Sequence, residues 1–176
     1  MSESTISSGS RGRLLLRRTA GGIGFGAAAA ALALDQGHKY WMLDVYHMAE
    51  RGRVAVTSFL DLVLVWNHGI SYGLLRQDSD TGRVVLIGFS LAMAAALTLW
   101  MVNAASRLSA FSLGLIVGGA LGNAADRIVH GAVADFFAFH YAGYHWYIFN
   151  IADVAIAAGV IGLLLDWMTN PVSRSA

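Results

Sequence analysis

Charge is concentrated at the start of the chain. Arg11, Arg13, Arg17 and Arg18 stand against Glu3 within the first eighteen residues, and residues 19–34 that follow carry no charge. After a mixed stretch, residues 84–106 and 108–125 are again uncharged, separated by Arg107, and across residues 136–165 the one formal charge is Asp153. A helix needs about 20 apolar residues to cross a bilayer. These blocks predict four spans: one from residue 19 toward Trp41, two over the central blocks, and a fourth over residues 147–167. The first span requires a polar role for Asp35 and Lys39, which fall inside it. A basic start followed by an apolar run is also the pattern of a cleaved signal peptide, but no small-residue cleavage signature follows Leu34.

Between the first two spans, residues 53–67 are rich in β-branched and aromatic side chains with partial alternation, which predicts one or two strands. Open strand edges are not tolerated in lipid, so a small sheet is expected at the outer surface, with a short interfacial helix over residues 42–51. The arginine bias at the amino terminus, together with Arg107 between spans two and three, places both termini in the cytoplasm. Trp41, Trp66 and Trp146 then fall near the outer interface, and Trp100 and Trp167 near the inner one. The expected organisation is a basic cytoplasmic extension over residues 1–18, a four-helix membrane domain over 19–168 with an extracytoplasmic insert at 36–82, and a cytoplasmic tail over 169–176.

Composition agrees: 56% of residues are hydrophobic and 13% charged, against about 25% charged in soluble domains. A net charge of +1 leaves no large basic surface for nucleic acid, and the lack of cysteine excludes disulfides, thiolate chemistry and iron–sulfur clusters.

Ionisable groups at membrane depth are costly and need a reason. Spans one and three both run outward, ending near Asp35 and near Asn123 and Asp126. Span four starts outside and reaches Asn150 and Asp153 early, Asp153 at about 9 Å depth for 1.5 Å per residue. Asp35, Asp126 and Asp153 therefore share the outer half of the bilayer. Asn123 with Asp126, and Asn150 with Asp153, are each three apart and so lie on one helix face. Two carboxylates in a poorly hydrated site can divide one proton between them, the arrangement of aspartic proteases, and titrate as a coupled unit. The alternatives for Asp126 are an ion pair with Arg127 or a helix-end charge, and for Asp35 an i,i+4 salt bridge with Lys39. Asp135 reads as an anchor for the loop after Arg127, and Asp61 and Asp166 as surface and boundary charges. A zinc site built from His130, His140 and His145 lacks the tight ligand spacing of a metalloprotease. A proton- or ion-coupled transporter using Asp153 as relay, and a membrane scaffold whose acids only join helices, are the other readings.

Five stretches decide among these. Asp35-Gln36 with Lys39, Asn67-His68-Gly69-Ile70-Ser71-Tyr72-Gly73, Gly118-Gly119-Ala120-Leu121-Gly122-Asn123-Ala124-Ala125-Asp126-Arg127, Gly131-Ala132-Val133-Ala134-Asp135-Phe136 and Phe149-Asn150-Ile151-Ala152-Asp153 occur in this order. With them the chain resembles the lipoprotein signal peptidases (signal peptidase II), membrane aspartic proteases of bacteria, over residues 20–168. It departs from the family's common pattern at Tyr72 and at Trp146-Tyr147-Ile148, where a proline is frequent.

The resemblance implies an all-α polytopic membrane protein: four transmembrane helices with a small extracytoplasmic β-cradle and a short helix over the site. It matches Asp126 and Asp153 to the catalytic pair, and Asp35, Lys39, Asn67, Gly69, Asn123, Arg127, Asp135 and Asn150 to supporting or substrate-binding positions. The implied substrate is a diacylglyceryl-modified prolipoprotein, cut on the amino side of its lipid-modified cysteine. It further implies a monomer in the bacterial cytoplasmic (inner) membrane, contacts with membrane lipid, and no metal or organic cofactor.

Overall fold

The computed structural model describes residues 4–69 and 80–170. Residues 70–73 of the Asn67 motif, and the carboxyl-terminal tail beyond Asn170, lie outside them. Helix α1 (Ser4–Tyr40) runs into a single π-helical segment (Trp41–Val45), followed by the short helix α2 (Met48–Arg51). Strands β1 (Val54–Ala55) and β2 (Leu60–Asn67) come next, then helices α3 (Asp80–Val102) and α4 (Arg107–His130). Strands β3 (Val133–Tyr141) and β4 (Tyr144–Phe149) lead into helix α5 (Ile151–Thr169).

Helices α3, α4 and α5 are each long and apolar enough to cross a membrane. Helix α4 lies at the centre and packs against the other three long helices. Its sequence explains how it can. Glycine removes the side chain where another backbone must approach, so that packing and dispersion replace the absent hydrophobic drive between helices in lipid. A Cβ on Gly114 would strike the Gly24 carbonyl of α1, and one on Gly118 the Ala28 carbonyl. On the other side, Gly119 abuts Ala152 of α5, while Ser112 and Ile116 of α4 abut Gly159. These contacts run in the same order along α1 and α4 and in opposite order along α4 and α5. Helices α1 and α4 are therefore parallel, and α5 runs back between the same ends. Asp35, Asn123, Asp126 and Asp153 consequently gather at one end of the bundle, as expected from alternating spans. Trp100 and Trp167 lie at the other end, where they line a common cleft.

The helix boundaries have local causes. Ser106 caps α4, its hydroxyl accepting the Ser109 N–H at 2.9 Å. Gly131 closes α4 in the left-handed region at φ 79°. Asn150 and Asp153 form a reciprocal capping box at the start of α5.

The sheet is larger than the sequence suggested. All four strands pair antiparallel in the order β1-β2-β3-β4. The strands at residues 53–67 are β1 and β2. Strands β3 and β4 fall within a stretch taken for outer loop and apolar run, because Val133–Tyr141 is apolar on both faces and shows no clean alternation. The reversal between them is a two-residue turn with positive φ at Ala142 (49°) and Gly143 (82°), which suits the twist of a hairpin. The helix expected over residues 42–51 is broken at His47, in the left-handed region at φ 52°. Met42 and Met48 from its two pieces bury against Ala134 and Phe136 of β3, seating the segment on the sheet.

Asp61 and Asp166 are buried rather than superficial. Asp61 pairs with Arg53 at 2.6 Å and with His140 at 3.2 Å. Asp166 accepts the hydroxyls of Ser106 at 2.8 Å and Ser109 at 2.5 Å, fastening the end of α5 to the start of α4.

A side chain at Gly118 must force α1 from α4. Gly118→Val should lower stability by about 1–3 kcal/mol, the usual cost of overpacking. Thermal unfolding of the detergent-solubilised protein would register this as a lower Tm, and an unchanged Tm would contradict the close α1–α4 contact.

Candidate active site

Four carboxylates meet at the sheet end of the bundle, in two layers. The inner layer is dry: Asp35 and Asp126 are 0% and 2% exposed, and Lys39 between them is 3% exposed. The Lys39 ammonium contacts Asp35 Oδ2 and Asp126 Oδ2, each at 2.8 Å. Gln36 Nε2 donates to Asp126 Oδ1 at 2.9 Å and to the Gly122 carbonyl at 3.2 Å. The remaining acceptors grip backbone. Asp35 Oδ1 accepts the N–H of Ala152 at 2.9 Å, and Asp126 Oδ2 accepts the N–H of Ala134 at 3.0 Å. Ala152 immediately precedes Asp153, and Ala134 immediately precedes Asp135. Each inner carboxylate thus holds the backbone next to one of the other two acids.

The outer layer is Asp135 and Asp153, and both line a cavity of about 870 Å³. Asn150 joins them. Its side-chain nitrogen donates to Asp135 Oδ1 at 2.6 Å, and its backbone N–H to Asp153 Oδ2 at 3.2 Å. Asn123 Nδ2 donates to Asp153 Oδ1 at 3.0 Å, and its Oδ1 accepts from Asn150 at 3.2 Å. Asn67 Nδ2 donates to Asp135 Oδ2 at 3.1 Å and to the Tyr147 hydroxyl oxygen at 2.8 Å. Asn67 Oδ1 accepts the Gly69 N–H at 3.0 Å. Arg127 donates from Nη2 to the Gly69 carbonyl at 2.8 Å and from Nη1 to the Asn123 carbonyl at 3.2 Å. It therefore holds backbone. The counter-ion of Asp126 is Lys39 at 2.8 Å, so the alternative of an Asp126–Arg127 ion pair is not the arrangement found.

Every site residue picked from the sequence belongs to this network, and Asp126, expected to act with Asp153, is bonded to Lys39, Gln36 and the Ala134 N–H. Asp126 and Asp135 are equally buried and each is bonded at both oxygens, but only Asp135 lines the cavity. The partner facing the cavity beside Asp153 is Asp135. Burial and the nearby Asp153 charge push the Asp135 carboxyl up to about 7. The cavity continues from the acids along an apolar wall that includes Val133, Phe139 and Phe149 of the sheet and Val154, Ala157 and Ile161 of α5. Three ionisable side chains (Arg127, Asp135 and Asp153) and two amides (Asn67 and Asn123) at its head, with aliphatic and aromatic walls below, suit a peptide bond attached to an apolar body.

Two of the three histidines weighed as metal ligands make other contacts. His130 rests on the Trp66 ring at 5.3 Å, and His140 contacts Asp61. Among the described residues no group of three His, Cys, Asp or Glu is placed to hold a metal ion.

The family model for signal peptidase (SPase) II matches residues 27–169. The chain belongs to the signal peptidase II family. A lipoprotein signal peptidase of Nitrobacter hamburgensis is 49% identical over 157 residues, covering 86% of this chain and 96% of that one. One from Rhodopseudomonas palustris is 50% identical over 148 residues, covering 82% and 90%. A solved bacterial membrane enzyme shares the fold at TM-score 0.71 with 27% identity, covering 85% of this chain and 92% of that one. The protein is accordingly a membrane aspartic peptidase acting on lipoprotein precursors, and the fold class expected from the sequence holds.

Two predictions follow from the layering. Removing the ammonium strands two buried carboxylates, so Lys39→Met should cost about 3–5 kcal/mol. Denaturant unfolding in detergent measures it, and a loss below about 1 kcal/mol would contradict the lock. For Asp135 the folded carboxyl titrates near 7 against 3.8 unfolded. The folded state then binds the extra proton between these values, so Asp135 makes stability fall as pH rises through that window. Asp135→Asn should flatten this fall, read as a smaller Tm difference between pH 4 and pH 8. An unaltered difference would contradict the shift.

Proposed function

We propose that Asp135 and Asp153 are the catalytic pair of this peptidase, and that Asp126 with Asp35 and Lys39 forms the structural lock behind them. The observation that carries this reading is the position of both carboxylates at the head of one cavity, joined through Asn150. Near neutral pH the pair holds one proton. The ionised carboxylate takes a proton from a water molecule as its oxygen attacks the scissile carbonyl carbon, and the protonated one donates to the carbonyl oxygen. Collapse of the tetrahedral intermediate breaks the C–N bond, and a carboxyl proton passes to the leaving amine. The chemistry needs no metal or organic cofactor.

The substrate in this reading is a diacylglyceryl-modified prolipoprotein, cut on the amino side of the modified cysteine. Its signal peptide is an apolar helix that reaches the site by diffusion within the bilayer. Its acyl chains stay against lipid and the apolar wall below the acids. The arginine-rich residues to 18 and the tail from 169 lie in the cytoplasm of a bacterium. The site then faces the outer leaflet of the cytoplasmic membrane, and the enzyme works as a monomer.

Cleavage of a diacylglyceryl-modified prolipoprotein by purified enzyme in detergent tests the assignment. Asp135→Asn and Asp153→Asn should each lose at least about a thousandfold in kcat while remaining folded. Asp126→Asn should lower Tm, with residual turnover at low temperature. Near-full turnover by folded Asp135→Asn would sink the proposed pair, and EDTA should have no effect.

A further inference from the structure

Tyr147 lies in a stretch that departs from the family's common pattern, and its hydroxyl lies one hydrogen bond from the amide that addresses Asp135. Tyr147 and Phe149 are two apart on β4 and both line the cavity. The two N–H bonds of the Asn67 side-chain amide have two acceptors, Asp135 Oδ2 at 3.1 Å and the Tyr147 hydroxyl oxygen at 2.8 Å. The amide oxygen takes the Gly69 N–H at 3.0 Å. With all three positions engaged, the plane of the amide is fixed. An amide turned end for end would point its oxygen at the Asp135 carboxylate and its NH2 group at the Gly69 N–H, losing two of the three bonds. Asp135 is held on its other oxygen by Asn150 at 2.6 Å, so the Asn67 contact is the longer of the two and the more easily loosened.

We propose that Tyr147 is a positioning residue for the reaction: by accepting one N–H of Asn67, its hydroxyl aims the other at Oδ2 of Asp135. The proposal rests on the reading of Asp135 and Asp153 as the catalytic pair. Besides Asn67, the groups facing Asp135 are Asp153 from α5, Arg127 from α4, Lys39 from α1 and Tyr147 itself from β4. Of these, Tyr147 reaches it through Asn67. A donated N–H stabilises the ionised carboxylate. Loosening that bond makes Asp135 keep its proton to higher pH.

The test compares wild type, Tyr147→Phe, Asn67→Ala and the double variant on a diacylglyceryl-modified prolipoprotein across pH 5–9, with Asp135→Asn alongside. Phenylalanine keeps the ring and removes the hydroxyl, so packing is preserved. Tyr147→Phe should lower kcat about three- to tenfold, the scale of one hydrogen bond, with KM little changed. The alkaline limb of its pH profile should move to higher pH, as should that of Asn67→Ala, and the double variant should be no worse than Asn67→Ala alone. Wild-type kcat and limb in Tyr147→Phe would overturn the proposal. So would losses that add fully in the double variant, or a rise in KM alone, which would make Tyr147 a substrate contact. Activity in Asp135→Asn would instead overturn the catalytic pair on which the proposal rests.

Discussion

One ammonium group organises this site. Lys39 Nζ lies 2.8 Å from carboxylates of both Asp35 and Asp126, all three side chains buried. A buried carboxylate without a partner is too costly to persist ionised. Shared neutralisation by one lysine lets two of them stay and act as hydrogen-bond acceptors within an apolar bundle. What they accept matters most. Asp35 takes the N–H of Ala152 and so sets the start of α5, while Asp126 takes the N–H of Ala134 and so sets the start of β3. The next residue in each case is an acid that faces the cavity. The lock transmits its position to Asp153 and Asp135 through one peptide unit each.

The glycines of α4 serve the same end. Close approach at Gly114, Gly118 and Gly119 brings α1 and α5 against one central helix. Lys39 of α1 can then reach Asp126 of α4, and Asp35 of α1 can reach the first turn of α5. At Gly122 a Cβ would meet the Asp35 carboxylate itself, so the missing side chain there makes room for the lock. The sheet supplies what helices alone could not, a wall on the open side of the acids. Asp135 stands on β3, its amide partner Asn67 on the neighbouring β2, and Tyr147 on β4.

Much of this was legible in the sequence. Uncharged blocks marked the long helices, and their alternation brought Asp35, Asp126 and Asp153 to one end. The i,i+4 spacing of Asp35 and Lys39 is a real ion pair. The missed parts have identifiable causes. Strand β3 is apolar on both faces, so it merged with the apolar start of the last block. The equal offsets of Asn123–Asp126 and Asn150–Asp153 suggested equal roles. In fact Asn123 points toward Asp153 while Asp126 turns inward to Lys39. The signal for Asp135 was available: like Asp153, it has apolar neighbours on both sides and no adjacent cation, whereas Asp126 has Arg127 beside it. The same comparison also keeps Asp44, Asp61 and Asp166, so it sets Asp126 apart without isolating the pair, which only the packing of β3 against the helices brings together.

The central claim is that the reacting carboxylates are Asp135 and Asp153, positioned by a lock that never touches substrate. The most direct measurement is a crystal structure with a lipopeptide analogue carrying a secondary hydroxyl in place of the scissile carbonyl. That hydroxyl should lie within hydrogen-bond distance of both Asp135 and Asp153, with the Lys39–Asp126 contact intact behind them. A hydroxyl bound against Asp126, with Lys39 displaced, would contradict it.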